Sequence, residues 1–372
     1  MLPLQTIIRG YPWGSREFIA KVQGRPAPTD EPEAELWIGA HPDSPSTVDS
    51  QPLDKLIEAS PERFLGAPAV ERFGPRLPYL TKLLAAQQPL SVQAHPDPAQ
   101  ALAGFTAEEA AGVAKGSPER SYVDPFHKPE LLVALEDFEA LCGFRPVDES
   151  ASALGALGVP GLGGVVDQLA SGALREALDT LLKMPESVVT EVAANDPLAA
   201  RLARFCPGDP GVIVALLLNH MVLRPGEAVW MPARTLHAYV RGAGVEVMAA
   251  SDNVLRGGLT RKPINVPELL RVLSFEPAPA PVVAPEPVAP GVVTWPVPVP
   301  DFRLYRISLT GASVTVDPAG PRTVLCLSGS ATVSDGDGSV ALVSGESAFG
   351  LAGAGPLTFT AAEPAELFVT SL

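Results

Sequence analysis

Pro225-Gly226-Glu227-Ala228-Val229-Trp230-Met231-Pro232-Ala233-Arg234-Thr235-Leu236-His237-Ala238 is the stretch that decides the fold. Ala228–Met231 has strand character, and Pro-Gly and Pro-Ala on its two sides mark tight turns. A strand and turn of this kind lead to His237. Taken alone, the same histidine is also readable as a core residue satisfied by backbone groups. Strand character extends to Val212–Leu218 upstream and Val245–Met248 downstream.

Working outward, residues 1–147 contain short strand-like runs between Pro and Gly turns, including Leu90–Ala94 and Glu130–Leu135. Over 148–206 the texture turns Ala/Leu-rich with helical spacing, as in Val165–Leu182 and Glu186–Phe205. The Pro/Ala/Val stretch 277–300 is expected to be an extended connector outside any sheet or helix. The tail returns to short strands, Ser313–Val316, Thr323–Leu327 and Leu357–Thr360. The spacing of Gly226, Pro232 and His237 resembles the second motif of cupin barrels. The expected architecture is therefore mainly β with a helical insertion. A cupin-type β-barrel (jelly-roll) catalytic domain spans 1–147 plus 207–276. An α-helical domain spans 148–206, the connector 277–300, and a C-terminal cupin-like β-domain without metal ligands 301–372.

Three further segments carry chemistry. In Leu90-Ser91-Val92-Gln93-Ala94-His95 the strand period of two puts Ser91, Gln93 and His95 on one face and the apolar residues on the other. Gln93 and His95 then lie about 7 Å apart, within reach of one ion. His127-Lys128-Pro129-Glu130 offers an oxygen ligand in Glu130 and an anion contact in Lys128. Glu246 through Lys262 contains Arg256 before two glycines, where a guanidinium fork can reach a phosphate or an oxyanion. Each has a plain structural reading singly: a half-exposed strand, a solvated pair, a turn with a salt bridge. Together, Gln93, His95, Glu130 and His237 form an N/O ligand set, and two imidazoles without a thiolate favour one Zn2+ per chain.

Composition sets outer limits. Apolar residues make up 46% and charged residues 19% of the 372, the profile of a folded chain with a sizeable core. A formal charge of −15 argues against nucleic acid or an anionic membrane as partner. It also means that any anion site must carry its own concentrated positive charge. Three scattered cysteines form no disulfide framework and fit a reducing cytoplasm; no signal peptide or membrane span is evident. The five histidines end at His237, so function is expected upstream of the C-terminal β-domain.

In order along the chain stand Tyr11-Pro12-Trp13-Gly14, Glu35 to Pro42, Gln87 to Pro96, Asp124 to Glu130, Pro232 to Tyr239 and Ala249 to Thr260. These blocks, spread over residues 7–275, resemble the signature blocks of the type I mannose-6-phosphate isomerases. The resemblance implies zinc held by Gln93, His95, Glu130 and His237, and a catalytic Arg256. It further implies a substrate pocket near Lys82, Ser91, Lys128, Lys262 and Trp13, with His41 and Glu246 as proton-handling groups. The implied reaction interconverts mannose 6-phosphate and fructose 6-phosphate through a cis-enediol, in a monomer acting on a small hexose 6-phosphate. Lys82, Ser91 and Lys128 are expected to anchor the phosphate. One departure stands out: the family commonly has Gly where this chain has Arg234, and a positive φ there would strain the loop.

Two other classes fit parts of the pattern. A non-catalytic metal-binding bicupin has no need for Arg256, Lys82 and Lys128 around the metal. An iron oxygenase would show His-x-Asp/Glu where this chain has Gln-x-His. His-Glu-x-x-His and Gly-x-Ser-x-Gly are both absent, against a hydrolase.

Overall fold

The computed structural model describes residues 1–372 with the exception of Ala312. One strand, His237–Ala249, organises it. Its Gly242–Ala249 part lies beside Tyr79–Ala86, and Gly244–Met248 also pairs with Glu130–Ala134. Its first residues pair instead with Phe138–Phe144 and, at His237, with Gln93 of the strand Val92–Ala94. The handover falls at Gly242, where φ is +128° and a Cβ would stand 2.8 Å from the Phe138 Cα. Only glycine lets the strand pass from one sheet to the other at that approach.

One arm of the pairing runs out to Ile7–Arg9 and Val282–Val283, the other to Leu218–Leu223 and Leu255–Gly258. These ends do not pair with each other, so the closed barrel expected from the sequence is not seen. The molecule is a mixed α/β structure with a helical middle region and several β-sheets.

The period of two decides which side chains meet. Val92, Ala94, Leu141, Leu236, Ala238 and Leu255 turn to the back of the site sheet. There they join Leu154, Val165, Leu169, Leu178, Leu181, Val189 and Leu202 from the helices between Val147 and Ala203. The alternate positions, Gln93 and His237 among them, are left to the space between the sheets, where Leu84, Leu132, Cys142 and Tyr239 form a second cluster. The helical layer thus supplies the apolar backing that lets the site strands keep polar fronts; a Leu→Ala change in it would cost roughly 2–5 kcal/mol. Directly after His95, Asp97 caps the helix Pro98–Ala110, accepting from the Gln100 N–H at 2.8 Å while Gln100 returns a bond to the Asp97 N–H. That capping box fixes the exit of the His95 segment and contributes about 1 kcal/mol.

Four expectations are corrected. Val212–Leu218 is not a strand: Gly211–Val214 is helical and Ala215–Leu217 is a 3-10 turn, nearly all buried. A short apolar run enclosed on every side carries no periodicity to separate the two states. The Pro-rich stretch does enter sheets, as Val282–Val283, Glu286–Ala289 and Val292–Thr294. Proline is tolerated because Pro287 sits on an edge strand that, among the described residues, pairs with Val292–Thr294 alone. The opening segment Leu2–Leu4 pairs with Ser347–Gly350 and so belongs to the C-terminal sheet, outside the expected 1–147 unit. Strand Val92–Ala94 begins after Ser91, leaving that hydroxyl on the preceding turn. The two β regions also meet through a buried polar seam, in which the Tyr79 hydroxyl donates to the Pro321 and Thr370 carbonyls and Thr81 bonds Thr370 and Thr323. Among the described residues no helix is long and apolar enough to cross a membrane.

Candidate metal centre

His95, Glu130 and His237 arrive from three chain segments and converge, each buried. His95 Nε2 stands 3.4 Å from Glu130 Oε1, and His237 Nε2 stands 3.2 Å from Glu130 Oε2. The other nitrogen of each ring is already used: His95 Nδ1–H donates to the Asn253 carbonyl at 2.6 Å, His237 Nδ1–H to the Thr235 carbonyl at 2.9 Å. Both rings are thereby held in the tautomer that aims an Nε2 lone pair at the shared space. His95 Nε2, His237 Nε2 and Glu130 Oε2 are buried with no hydrogen-bond partner. Three orphaned acceptors facing one point are costly in a bare protein and are satisfied together by one divalent cation. Gln93, the fourth donor expected from the sequence, is the cross-strand register partner of both His237 and Arg256.

The electrostatics agree with a cation site. Burial pushes the His95 imidazole down to about 4, so it is a neutral ligand at pH 7. Burial alone would raise Glu130, but His95, His237 and Lys128 outweigh it and hold its carboxyl well below the usual range. An ionised carboxylate beside imidazole nitrogens suits zinc.

The other expected residues divide into free and engaged groups. Arg256 makes no hydrogen bond or ion pair among the described residues, and burial lowers its pKa. Lys262, lowered chiefly by repulsion from Arg256, is its near neighbour. Arg256 and Lys262 are thus two cations in one another's field, neither in an ion pair among the described residues. Lys82, by contrast, is engaged within the chain. It is buried, 2.9 Å from Glu246 and 3.5 Å from Glu35. Burial would lower its ammonium, but the two carboxylates outweigh that and keep it protonated. Its charge is spent inside this chain, which also accepts a bond to Glu35 from Trp37 Nε1 (2.7 Å) and to Glu246 from the Tyr239 hydroxyl (2.7 Å). Glu246 is raised above its ordinary range by burial and by Glu130 and Glu35, despite Lys82. Lys128 Nζ lies 3.6 Å from Glu130 Oε1. Trp13 stacks on Tyr11 at 5.6 Å and borders the cluster between the sheets.

His41 is buried beside Trp37, its Nε2 3.3 Å from Asp252 Oδ1. Asp252 was quoted in a sequence block without a role, and its position is informative. Burial would raise it, but His41, Lys128 and Lys82 together hold it ionised, and its side chain keeps 37% exposure. Sequence reading also passed over Asn253, fully buried, whose side chain binds the backbone of Val123, Asp124 and Phe126. Its only sequence signal was its place in the Ala-Ala-Ser-Asp-Asn run. With Asp43, His41 and Asp252 form a second group of close donor atoms.

Arg234 has φ +69°, the left-handed region in which glycine is at ease. Its N–H donates to the His95 carbonyl at 2.7 Å and its Nε to the Val272 carbonyl at 3.1 Å, so the strained residue ties the loop before His237 to the His95 strand. Arg234→Val is expected to cost about 2 kcal/mol, because a β-branched residue resists positive φ. Arg234→Gly should stay within about 1 kcal/mol of the native chain, strain relief offsetting the lost bond. Thermal unfolding of both variants decides it; a glycine variant less stable than the valine one would contradict the strain argument.

Comparison with known proteins places this geometry. A family model described as the catalytic domain of phosphomannose isomerase type I matches residues 1–147. Mannose-6-phosphate isomerase of Escherichia coli (strain K12) is 37% identical over 378 residues, covering 96% of each chain. The Salmonella typhimurium enzyme of the same name is 36% identical over 371 residues, covering 94% of each. A zinc-bound crystal structure of mannose 6-phosphate isomerase superposes with a TM-score of 0.90 at 33% identity, covering 100% of this chain and 99% of the other.

Proposed function

The chain belongs to the type I mannose-6-phosphate isomerase family, and from that premise we infer that it interconverts mannose 6-phosphate and fructose 6-phosphate. It is an aldose–ketose isomerase with a zinc site. The observation that carries the reading is the meeting, among the described residues, of three buried, unpartnered ligand atoms with an arginine that makes no ion pair, on the strand beside Gln93. Gln93, His95, Glu130 and His237 would hold the zinc, which when bound supplies Lewis-acid polarisation of sugar oxygens.

The rest of the chemistry falls to side chains. Isomerisation removes the C2 proton of the open-chain aldose and returns a proton to C1, while the O2 hydroxyl proton moves to O1. The barrier is the negative charge that develops on the enediolate oxygens. Arg256, fixed on Leu255–Gly258 and unneutralised, can face that charge without reorganising. Lys262 with Lys128 and Ser91 offers the phosphate contacts; Lys82 instead fixes the Glu35–Glu246 pair beneath the pocket. Glu246, raised and bound by Lys82 and Tyr239, is poorly placed to cycle protons alone. Asp252, ionised, partly open and backed by His41, fits proton transfer better.

We read the two sheets sharing His237–Ala249 as a cupin-type jelly roll drawn from 1–147 and 207–276, Leu2–Leu4 apart, with the helical layer 148–206 and the β-unit 301–372, which the strands between Val282 and Thr294 join to it, as its neighbours. Three free cysteines suit a reducing, cytoplasmic setting. A coupled assay tests the function. Zinc-loaded protein should release fructose 6-phosphate from mannose 6-phosphate, lose activity to a chelator and regain it with zinc. Zinc-loaded protein that forms no fructose 6-phosphate would overturn the reading.

A further inference from the structure

Asp301 lies between the strands Val292–Thr294 and Arg303–Leu309 of the C-terminal sheet, yet its carboxylate reaches the metal-bearing half. Its two oxygens stand 3.1 and 3.2 Å from His127 Nε2, and no other hydrogen bond reaches them among the described residues. The carboxylate is buried. The next residue, Phe302, is fully buried and packs edge-on to Trp230 at 6.4 Å; Trp230 is the register partner of Leu131. Asp301 is therefore carried on a rigid point where the C-terminal half docks against the strand that begins with Glu130.

The segment it grips has little else to hold it. Upstream, Asn253 and Ser251 clamp the backbone at Val123, Asp124 and Phe126, and Arg76 lies over the Phe126 ring at 3.5 Å. Downstream, Pro129 accepts from the Ala249 N–H and Glu130 enters the sheet. Between these anchors, His127 and Lys128 make no backbone hydrogen bond among the described residues. The direction of this short bridge, and with it the place of the Lys128 ammonium beside Glu130, is left to the His127 ring.

We propose that Asp301 is a positioning residue for the isomerisation: by accepting from His127 Nε2–H it fixes where Lys128 stands at the substrate pocket. The C-terminal β-region, which has no histidine of its own, thereby takes part in the site. The proposal rests on the isomerase reading. A buried second residue behind a substrate contact changes affinity by about ten- to a hundredfold when lost, and small misplacements act at a distance.

The test compares full-length, zinc-loaded wild type with Asp301→Ala, His127→Ala and the double variant. Asp301→Ala should raise KM for mannose 6-phosphate about tenfold, with kcat within about threefold and zinc content unchanged. Asp301→Asn, whose amide oxygen still accepts from Nε2–H, should recover KM to within about twofold of wild type. The double variant should match His127→Ala, because both changes cut one interaction. Asp301→Leu, similar in size without an acceptor, repeats the test should alanine leave too large a hole. An unchanged KM, a loss confined to melting temperature, or single effects that multiply in the double variant would overturn the positioning role while leaving an active wild type. A wild type without turnover would overturn the isomerase reading and this role with it.

Discussion

His237→Ala is expected to weaken zinc binding by about a hundred- to a thousandfold and to leave little isomerase activity at equimolar metal. The size follows from removing one of four donors to an ion whose protein binding is worth roughly 10–16 kcal/mol in all. The geometry says why no other group can take over. His237 is buried, its Nδ1 is committed to Thr235, and its Nε2 faces Glu130. Without that imidazole, Glu130 and His95, with Gln93 as the proposed fourth donor, are left one ligand short. The metal-free variant should nonetheless fold, because the deletion also removes an orphaned buried nitrogen. Adding zinc should therefore raise the melting temperature of the wild type far more than that of the variant. Elemental analysis and paired melting curves measure both effects, and a variant that keeps equimolar zinc would remove His237 from the ligand set.

Arg256→Ala should lower kcat by about a hundred- to a thousandfold with zinc content unchanged. This is the range seen when one fixed donor to a developing oxyanion is lost. Arg256 is the suited residue because its charge is unspent: it has no ion pair among the described residues, whereas Lys82 is neutralised by Glu246 and Glu35. Arg256→Lys should recover only part of the rate, since an ammonium keeps the charge but loses the two-pronged fork. A kcat within twofold of wild type for Arg256→Ala would assign the arginine to binding or structure alone.

Much of the metal centre was legible in the sequence because the strand period is rigid. Once Val92 and Ala94 are read as core, Gln93 and His95 must face the other way, and the helical residues packed behind them make that choice binding. The ligand tautomers were not legible, because Asn253 and Thr235 act through backbone carbonyls that any residue would offer. The partners of Lys82 were hidden for a related reason. Its apolar neighbours signalled a buried ammonium, but its neutralising partners come from Glu35 and Glu246, far away in the chain. Pairings of this length also hid the place of Leu2–Leu4 in the C-terminal sheet and the reach of Asp301 to His127. Val212–Leu218 failed at the local level: enclosed on all sides, it has no polar face to report a period.

The isomerase chemistry depends on one ion binding where His95 Nε2, His237 Nε2 and Glu130 Oε2 meet. Anomalous diffraction from crystals of the zinc-loaded protein, collected at the zinc edge, locates that ion directly. A single peak about 2.0–2.2 Å from His95 Nε2, His237 Nε2, a Glu130 oxygen and the Gln93 amide oxygen is the expected result. A peak at His41, Asp43 and Asp252 instead, or none between His95 and His237, would contradict it.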